Sequence, residues 1–471
     1  MGRFACFVPI ALVLSACGRI DYLSNVRADG GLDADLDADL DAFTPDAFGP
    51  DTGAPDTGPT IDAANDTADL DAAIDAFAPD AFACAGTDRI VDGRCVPFVS
   101  QLDFDDDGFG DLVIGAQNAP PMAAGVAYFY RGTATGPVRV GAFRAGNADE
   151  RVGFTTIDAH DVNGDGIDDV IVSGHNFSFG QAYAFHGGSS PIETSVATLS
   201  YPEAMQFGQF MTALSGGAVV IGEDGSSRAH FFQGIPGTGL PTRPSMTFSP
   251  PSLLQLASGD VNGDGQRDLI VIGANGVDGR VFVYHAPLGD PPVATTTIDA
   301  PAGVTFTGIA TAHLGGVGED LVLGTSAGTM LVYLGAGDGL TATPTVVAAP
   351  IGVPGFASVL ANLGDVDRDG DDELAVAADL ADATRVFVYL GQRASPYAVE
   401  GRAVTLPAAT GRTRVALGAT DVDGDGEIEL VIGDPLRQHV YWHDDLLGAQ
   451  TLEHDVADPA SNSFGFSIAS R

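Results

Sequence analysis

Five times along this chain, a short acidic stretch punctuated by glycine runs directly into an apolar one. The segments are DFDDDGFGDLVIGA (103–116), DVNGDGIDDVIVSG (161–174), DVNGDGQRDLIVIG (260–273), DVDRDGDDELAVAA (365–378) and DVDGDGEIELVIGD (421–434). Each apolar half is short and rich in Val, Ile and Leu, which predicts a buried strand rather than a helix. A second pattern repeats behind it, a strand with an aromatic near its end: GVAYFYRG, GQAYAFHG, SRAHFFQG, GRVFVYHA, GTMLVYLG, TRVFVYLG and RQHVYWHD. The aromatics Tyr130, Phe185, Phe232, Tyr284, Tyr333, Tyr389 and Trp442 recur 47 to 56 residues apart. The strand pattern therefore gives seven units, and the acidic loop gives five.

The two units without the loop still carry its strands. Unit three reads FGQFMTALSGGAVVIG (207–222), with Ser215-Gly216-Gly217 where the loop would stand. Unit five reads FTGIATAHLGGVGEDLVLG (306–324), where only Glu319-Asp320 remain of the acids. A repeat of about 50 residues with several short strands and glycine-rich turns predicts one propeller blade. The expected fold is all-β: a seven-bladed β-propeller of four-stranded antiparallel blades over 98–471. The final segment SFGFSIASR (463–471) matches the strand that precedes the acidic loop elsewhere, as in VGFTTIDAH (152–160). It is expected to complete the first blade, protecting an otherwise open sheet edge.

Within each loop, oxygen side chains fall at positions 1, 3, 5 and 9, and position 6 is Gly. Alternate residues of a tight loop point to one centre, and the glycine permits the sharp turn. Hard oxygen donors in a flexible loop suit calcium, which takes six to eight of them. The expected ligands are Asp103, Asp105, Asp107 and Asp111; Asp161, Asn163, Asp165 and Asp169; Asp260, Asn262, Asp264 and Asp268; Asp365, Asp367, Asp369 and Glu373; and Asp421, Asp423, Asp425 and Glu429. Carboxylates about 4 Å apart repel by roughly 1 to 4 kcal/mol per pair, so each loop would splay without a cation. About five Ca2+ sites follow. Plain Asp/Gly turns would not repeat one spacing five times.

These segments resemble the FG-GAP repeat of integrin alpha-chain propellers. Phe-Gly pairs stand at 207–208 and 464–465, Ile-Gly-Ala at 114–116 and 272–274, and the acidic loop lies between the halves. The resemblance covers about 98–471 and implies a seven-bladed propeller with calcium loops on one face. In integrins, partners are recognised mainly on the other. No inserted ligand domain, leg domain or transmembrane helix is visible in this sequence, so an adhesive role is analogy alone.

The first 17 residues, MGRFACFVPIALVLSAC, place one Arg before a short apolar run and small residues after it, the layout of a signal peptide. Leu14-Ser15-Ala16-Cys17 resembles the bacterial lipobox, which implies lipidation of Cys17. Gly18 stands where enteric-type sorting uses Asp for inner-membrane retention, so outer-membrane residence is expected. Residues 18–83 hold sixteen Asp, two Arg and no Glu among Ala, Pro, Gly and Thr. Repelling charges with helix breakers predict a disordered tether. Cys84 and Cys95 remain as a pair, and in an exported chain they are expected to close a disulfide across 84–97.

The charge balance is 63 acidic against 21 basic residues, every basic one an Arg. A net charge of −42 argues against nucleic acid, whose recognition runs on basic phosphate contacts. Gly324-Thr325-Ser326-Ala327-Gly328 fits G-x-S-x-G, but a strand follows where a nucleophile elbow needs a helix. The nine His are scattered without a zinc motif. The expectation is a monomeric, non-enzymatic binding or adhesion scaffold for a protein or glycan ligand, held to the membrane by its lipid alone. The alternative is a calcium-dependent enzyme acting on polysaccharide or lipid. A His/Arg/carboxylate set converging in the central channel would favour that alternative.

Overall fold

A computed structural model describes residues 102–470, apart from 122, 147–149, 176–179, 189–193, 202, 224–226, 380–383, 407–414, 444–445, 447–453 and 459–461, together with four short N-terminal strands. The chain divides into Met1–Ala83 and Cys84–Arg471. In the first unit, Ile10–Val13 pairs antiparallel with Ile20–Leu23. The expected tether thus begins with a strand, at the apolar IDYL. The rest of the leader and tether, with Cys17 and the Cys84–Cys95 pairing, lies outside the described residues. In the second unit, Asp88–Val91 pairs with Arg94–Pro97, and the propeller follows.

Seven four-stranded antiparallel sheets make the propeller. Blades two to seven run in chain order from the centre outward. Their innermost strands are Val152–His160, Phe207–Leu214, Gln255–Gly259, Phe306–Ala312, Phe356–Gly364 and Ala416–Thr420. Blade one differs: its innermost strand is Ser467–Ala469, which pairs with Leu112–Ala116. The first blade is thus built from both ends of the propeller's sequence, as the terminal SFGFSIASR predicts.

The second strand of each blade is buried along its length, as in Leu112–Ala116 and Ala218–Glu223. Its alternate side chains serve the two faces of the sheet. Leu112 and Ile114 join the cluster shared with blade seven, whereas Val113 joins the one shared with blade two. One apolar cluster fills each of the seven junctions between neighbouring blades. A single sheet could not cover both its faces, so radial packing is what removes this area from water, at about 25 cal/mol per Å². The seven repeated aromatics are all core residues, from 0% exposed at Phe185 to 8% at Trp442.

The Phe-Gly pairs lock the junctions. Phe464 is fully buried between blades seven and one. Gly465 takes φ +84°, and a Cβ there would stand 3.1 Å from the Gly433 Cα of the neighbouring blade. Glycine is needed on both grounds: the left-handed backbone and the close approach.

Candidate metal centres and the channel mouth

Four of the acidic loops join an innermost strand to the second strand, and that of blade one leads into its second strand Leu112–Ala116, so all five gather at one end of the ring. Blade two shows how a loop is wired. Asp161 at position 1 receives the amides of Gly164 (2.5 Å), Asp165 (3.0 Å) and Gly166 (2.8 Å). The Asp165 carboxylate takes the amide of Ile167 at 2.9 Å. Blade four repeats these bonds through Asp260 and Asp264, and blade seven through Asp421 and Asp425. The Asp and Gly at fixed positions thus shape the loop through its own amides.

Position 9 has a second role. Its carboxylate accepts the amide of position 2 in six blades: Phe104 to Asp111 (2.9 Å), Val162 to Asp169 (2.9 Å), Val261 to Asp268 (3.2 Å), Leu314 to Asp320 (2.9 Å), Val366 to Glu373 (2.6 Å) and Val422 to Glu429 (2.5 Å). In five of these the other oxygen accepts an amide at the end of the third strand or just past it, from Gly132, Gly187, Ala286, Gly335 or Gly391. Asp320 belongs to blade five, which has no acidic loop. The position 9 acid is therefore a staple of the blade as well as a candidate ligand.

The carboxylates converge to different degrees. In blade seven, one oxygen from each of Asp421, Asp423, Asp425 and Glu429 lies within 4.8 Å of the others. Oxygens bound to one calcium at 2.3–2.6 Å are at most about 5 Å apart, so this set fits the ion. Asp103, Asp105 and Asp111 converge likewise, as do Asp365, Asp367 and Glu373. Position 5 stands outside both groups. Asp369 turns one oxygen to the amide of Asp371, 2.9 Å away. In blade one, Arg131 lies 3.2 Å from Asp105 and 3.7 Å from Asp107, so a guanidinium already neutralises part of that loop. In blades two and four, the Asn163 and Asn262 amides donate to Asp165 and Asp264 at 2.9 and 3.1 Å. Those loops hold one carboxylate fewer than the others.

Burial raises the acids. It pushes Asp111 and Glu373 up to about 8, and Asp169, Asp268 and Asp320 up to about 6. Asp421 is raised in the same direction, chiefly by burial.

Position 8 lies against the neighbouring blade, and in blades four and five it lines the channel. Its backbone amide reaches the preceding blade: Gly110 to the Asp421 carbonyl, Glu319 to that of Asp260, Asp372 to that of His313, each at 2.7 Å. Position 8 holds Asp168, Arg267 and Glu319 in blades two, four and five. Arg267 and Glu319 line a channel cavity of about 260 Å³ together with Asp158, His160, Ser258, Thr311 and Asn362. Their ion pair spans 3.4 Å. Asp158, His160 and Asp168 form a further convergent group beside it. A His/Arg/carboxylate set therefore does meet in the channel. The position 8 column of the aligned loops carried its only linear signal.

A ring of seven sheets with oxygen-rich loops at one end defines the class: a seven-bladed β-propeller carrying candidate cation loops. Residues 254–284, in blade four, match the family described as FG-GAP repeat. The predicted FG-GAP repeat architecture thus stands. No curated protein sequence matches the chain. Among solved structures, it is similar to a protein from Lactobacillus plantarum, at 12% identity and TM-score 0.50, over 77% of this chain and 99% of that one. It is likewise similar to a functionally unknown protein from Desulfotomaculum acetoxidans, at 12% identity and TM-score 0.51, over 76% and 98%. These likenesses concern the fold alone.

Proposed function

We propose that this protein is a calcium-stabilised binding scaffold, exported and lipid-anchored, that presents its propeller face to a protein or glycan ligand. The observation that carries the reading is the convergence of Asp421, Asp423, Asp425 and Glu429 to within 4.8 Å of one another. Calcium would be held by these and the corresponding side chains of the other four loops. The bound ion supplies positive charge that the like-charged oxygens otherwise lack. The chain's own residues set the rest: position 1 folds the loop on its amides, position 9 ties it to the sheet, and position 8 of blades four and five borders the channel. Calcium on this reading is scaffold rather than activity.

Calorimetric titration of the purified domain with calcium, after chelation, tests it. Saturable binding with a thermal shift of several degrees supports the reading; equal melting points with calcium and chelator overturn it. Cys17→Ser is expected to release the protein from membranes. A glycan array and a pull-down with the soluble domain, each run with and without calcium, address the ligand.

A second reading, a calcium-dependent enzyme acting on polysaccharide or lipid, is favoured by one observation, the meeting of His160, Arg267, Asp158 and Glu319 around the channel cavity. Turnover of such substrates that Arg267→Ala abolishes, with the calcium shift intact, would select it.

A further inference from the structure

The mouth of the channel holds a donor set unlike that of the loops. The innermost strand of blade two shifts register between Asp158 and His160. His160 takes φ +53°, a left-handed value that a residue with a Cβ keeps only where its surroundings hold it. The distortion brings His160 Nδ1 to 3.1 Å from Asp158 Oδ2. Two ligands on one tetrahedral ion with bonds of about 2.0 Å are about 3.3 Å apart. Asp168, at position 8 of the loop that follows, adds a third donor, and all three ligand atoms lie within 4.8 Å of one another.

A second observation points to a ligand. The Asp158 side chain is wholly buried and lines the channel, and its Oδ2 makes no well-aligned hydrogen bond, facing only the His160 ring nitrogen 3.1 Å away. Asp158 Oδ1 is occupied, since it takes the His160 amide at 2.7 Å. A buried carboxylate oxygen normally finds a cation or a donor, and here that is either a protonated His160 or a metal ion that both residues ligate. The chemistry of the set also differs from the loops. Five loops offer oxygen only, which suits calcium. One imidazole with two carboxylates suits zinc and its first-row neighbours.

We propose that Asp158, His160 and Asp168 form a binding site for a zinc-class divalent metal ion, separate from the five calcium loops, with an open coordination position towards the channel cavity. Three protein ligands and one open position are the arrangement of zinc sites that bind an exchangeable water or anion. Arg267, across the same cavity, is placed to attract an anionic oxygen ligand. The site uses no calcium-loop ligand, so it stands or falls independently of the calcium reading.

The experiment is a Co2+ titration of the full chain in saturating calcium, followed by its visible d–d absorption. One equivalent should bind with the bands of a low-symmetry nitrogen/oxygen site, and Zn2+ should displace it. His160→Gln, Asp158→Asn and Asp168→Asn should each weaken Co2+ by about tenfold or more, while the calcium-dependent melting shift stays unchanged. Absence of a Co2+ band in the wild type would overturn the proposal and leave Asp158 and His160 as an ion pair only. Equal Co2+ binding by His160→Gln would overturn it too. So would bands that vanish in Asp423→Asn, because Co2+ would then be occupying a calcium loop.

Discussion

Blade seven turns from its innermost strand to its second through a full acidic loop, in which Glu429 follows Val422 by seven residues. Blade five makes the same turn one residue shorter, with Asp320 following Leu314 by six, and keeps Gly315 and Gly316 where the acids would be. Both blades close the turn with the same staple: a buried carboxylate that accepts the position 2 amide. Blade three goes further and drops the acid, and the Gly234 amide bonds the Gly217 carbonyl at 3.0 Å instead. The difference separates two tasks that one motif combines. The sheet needs something to accept amides at the loop's base, and only the longer loops add oxygens at positions 3 and 5 for a cation.

The largest expected effect is the loss of calcium itself. Each site held at 100 times its dissociation constant adds about 2.7 kcal/mol, so chelation should lower the melting temperature by many degrees. Hydrogen exchange should rise in the loops of blades one, two, four, six and seven, and stay unchanged at 215–217 and 315–318. Equal exchange changes in all seven blades would erase the distinction.

Next in size is the staple. Asp320→Ala leaves the Leu314 and Gly335 amides without their acceptor, at an expected cost of about 2–4 kcal/mol. Urea unfolding should show the same loss with calcium and with chelator. Glu429→Ala should cost more in calcium than in chelator, because it removes both a staple and a ligand.

Acidity should sharpen the contrast further. Asp111 and Glu373 titrate at about 8 in the folded chain, and Asp169 and Asp268 at about 6, all above their ordinary values. A group raised in this way imposes no penalty below its unfolded value near 4. It costs progressively more as pH rises towards its folded value. The chelated protein should therefore lose stability between about pH 4 and pH 8, and calcium should remove most of the slope. Unfolding curves at pH 5 and pH 8, each with calcium and with chelator, measure it.

The smallest expected effect concerns blade one. Arg131→Ala removes the cation beside Asp105 and Asp107. Calcium affinity at that loop should rise a few-fold, read by titration at low salt, with the other four sites unmoved.

Much of the ring was legible in the sequence. The recurring aromatics from Tyr130 to Trp442 counted the blades because every blade buries one against a neighbour. The terminal FGFSIAS announced the closing strand because an innermost strand has its own signature. The loops were legible as well, since alternate oxygens over nine positions are a local pattern. What stayed hidden depends on the ring being closed. Arg131 lies 26 residues from Asp105, and no spacing rule couples them. Arg267 and Glu319 meet only because consecutive blades turn the same loop position inward. The bulge at Asp158 and His160 leaves no mark, because a register shift follows from pairing rather than composition.

The strand that completes blade one carries a kinetic consequence. Ala469 pairs with Val113, about 350 residues away, and closing a flexible loop of that length costs on the order of 5 kcal/mol of chain entropy. The hairpins inside each blade close far shorter loops, so local sheets form early and the join between the ends comes late. Until then, Leu112–Ala116 exposes an unpaired edge beside apolar side chains. The folding chain therefore passes through a waiting period in which its first blade is adhesive to other strands, and Ser467–Ala469 ends it.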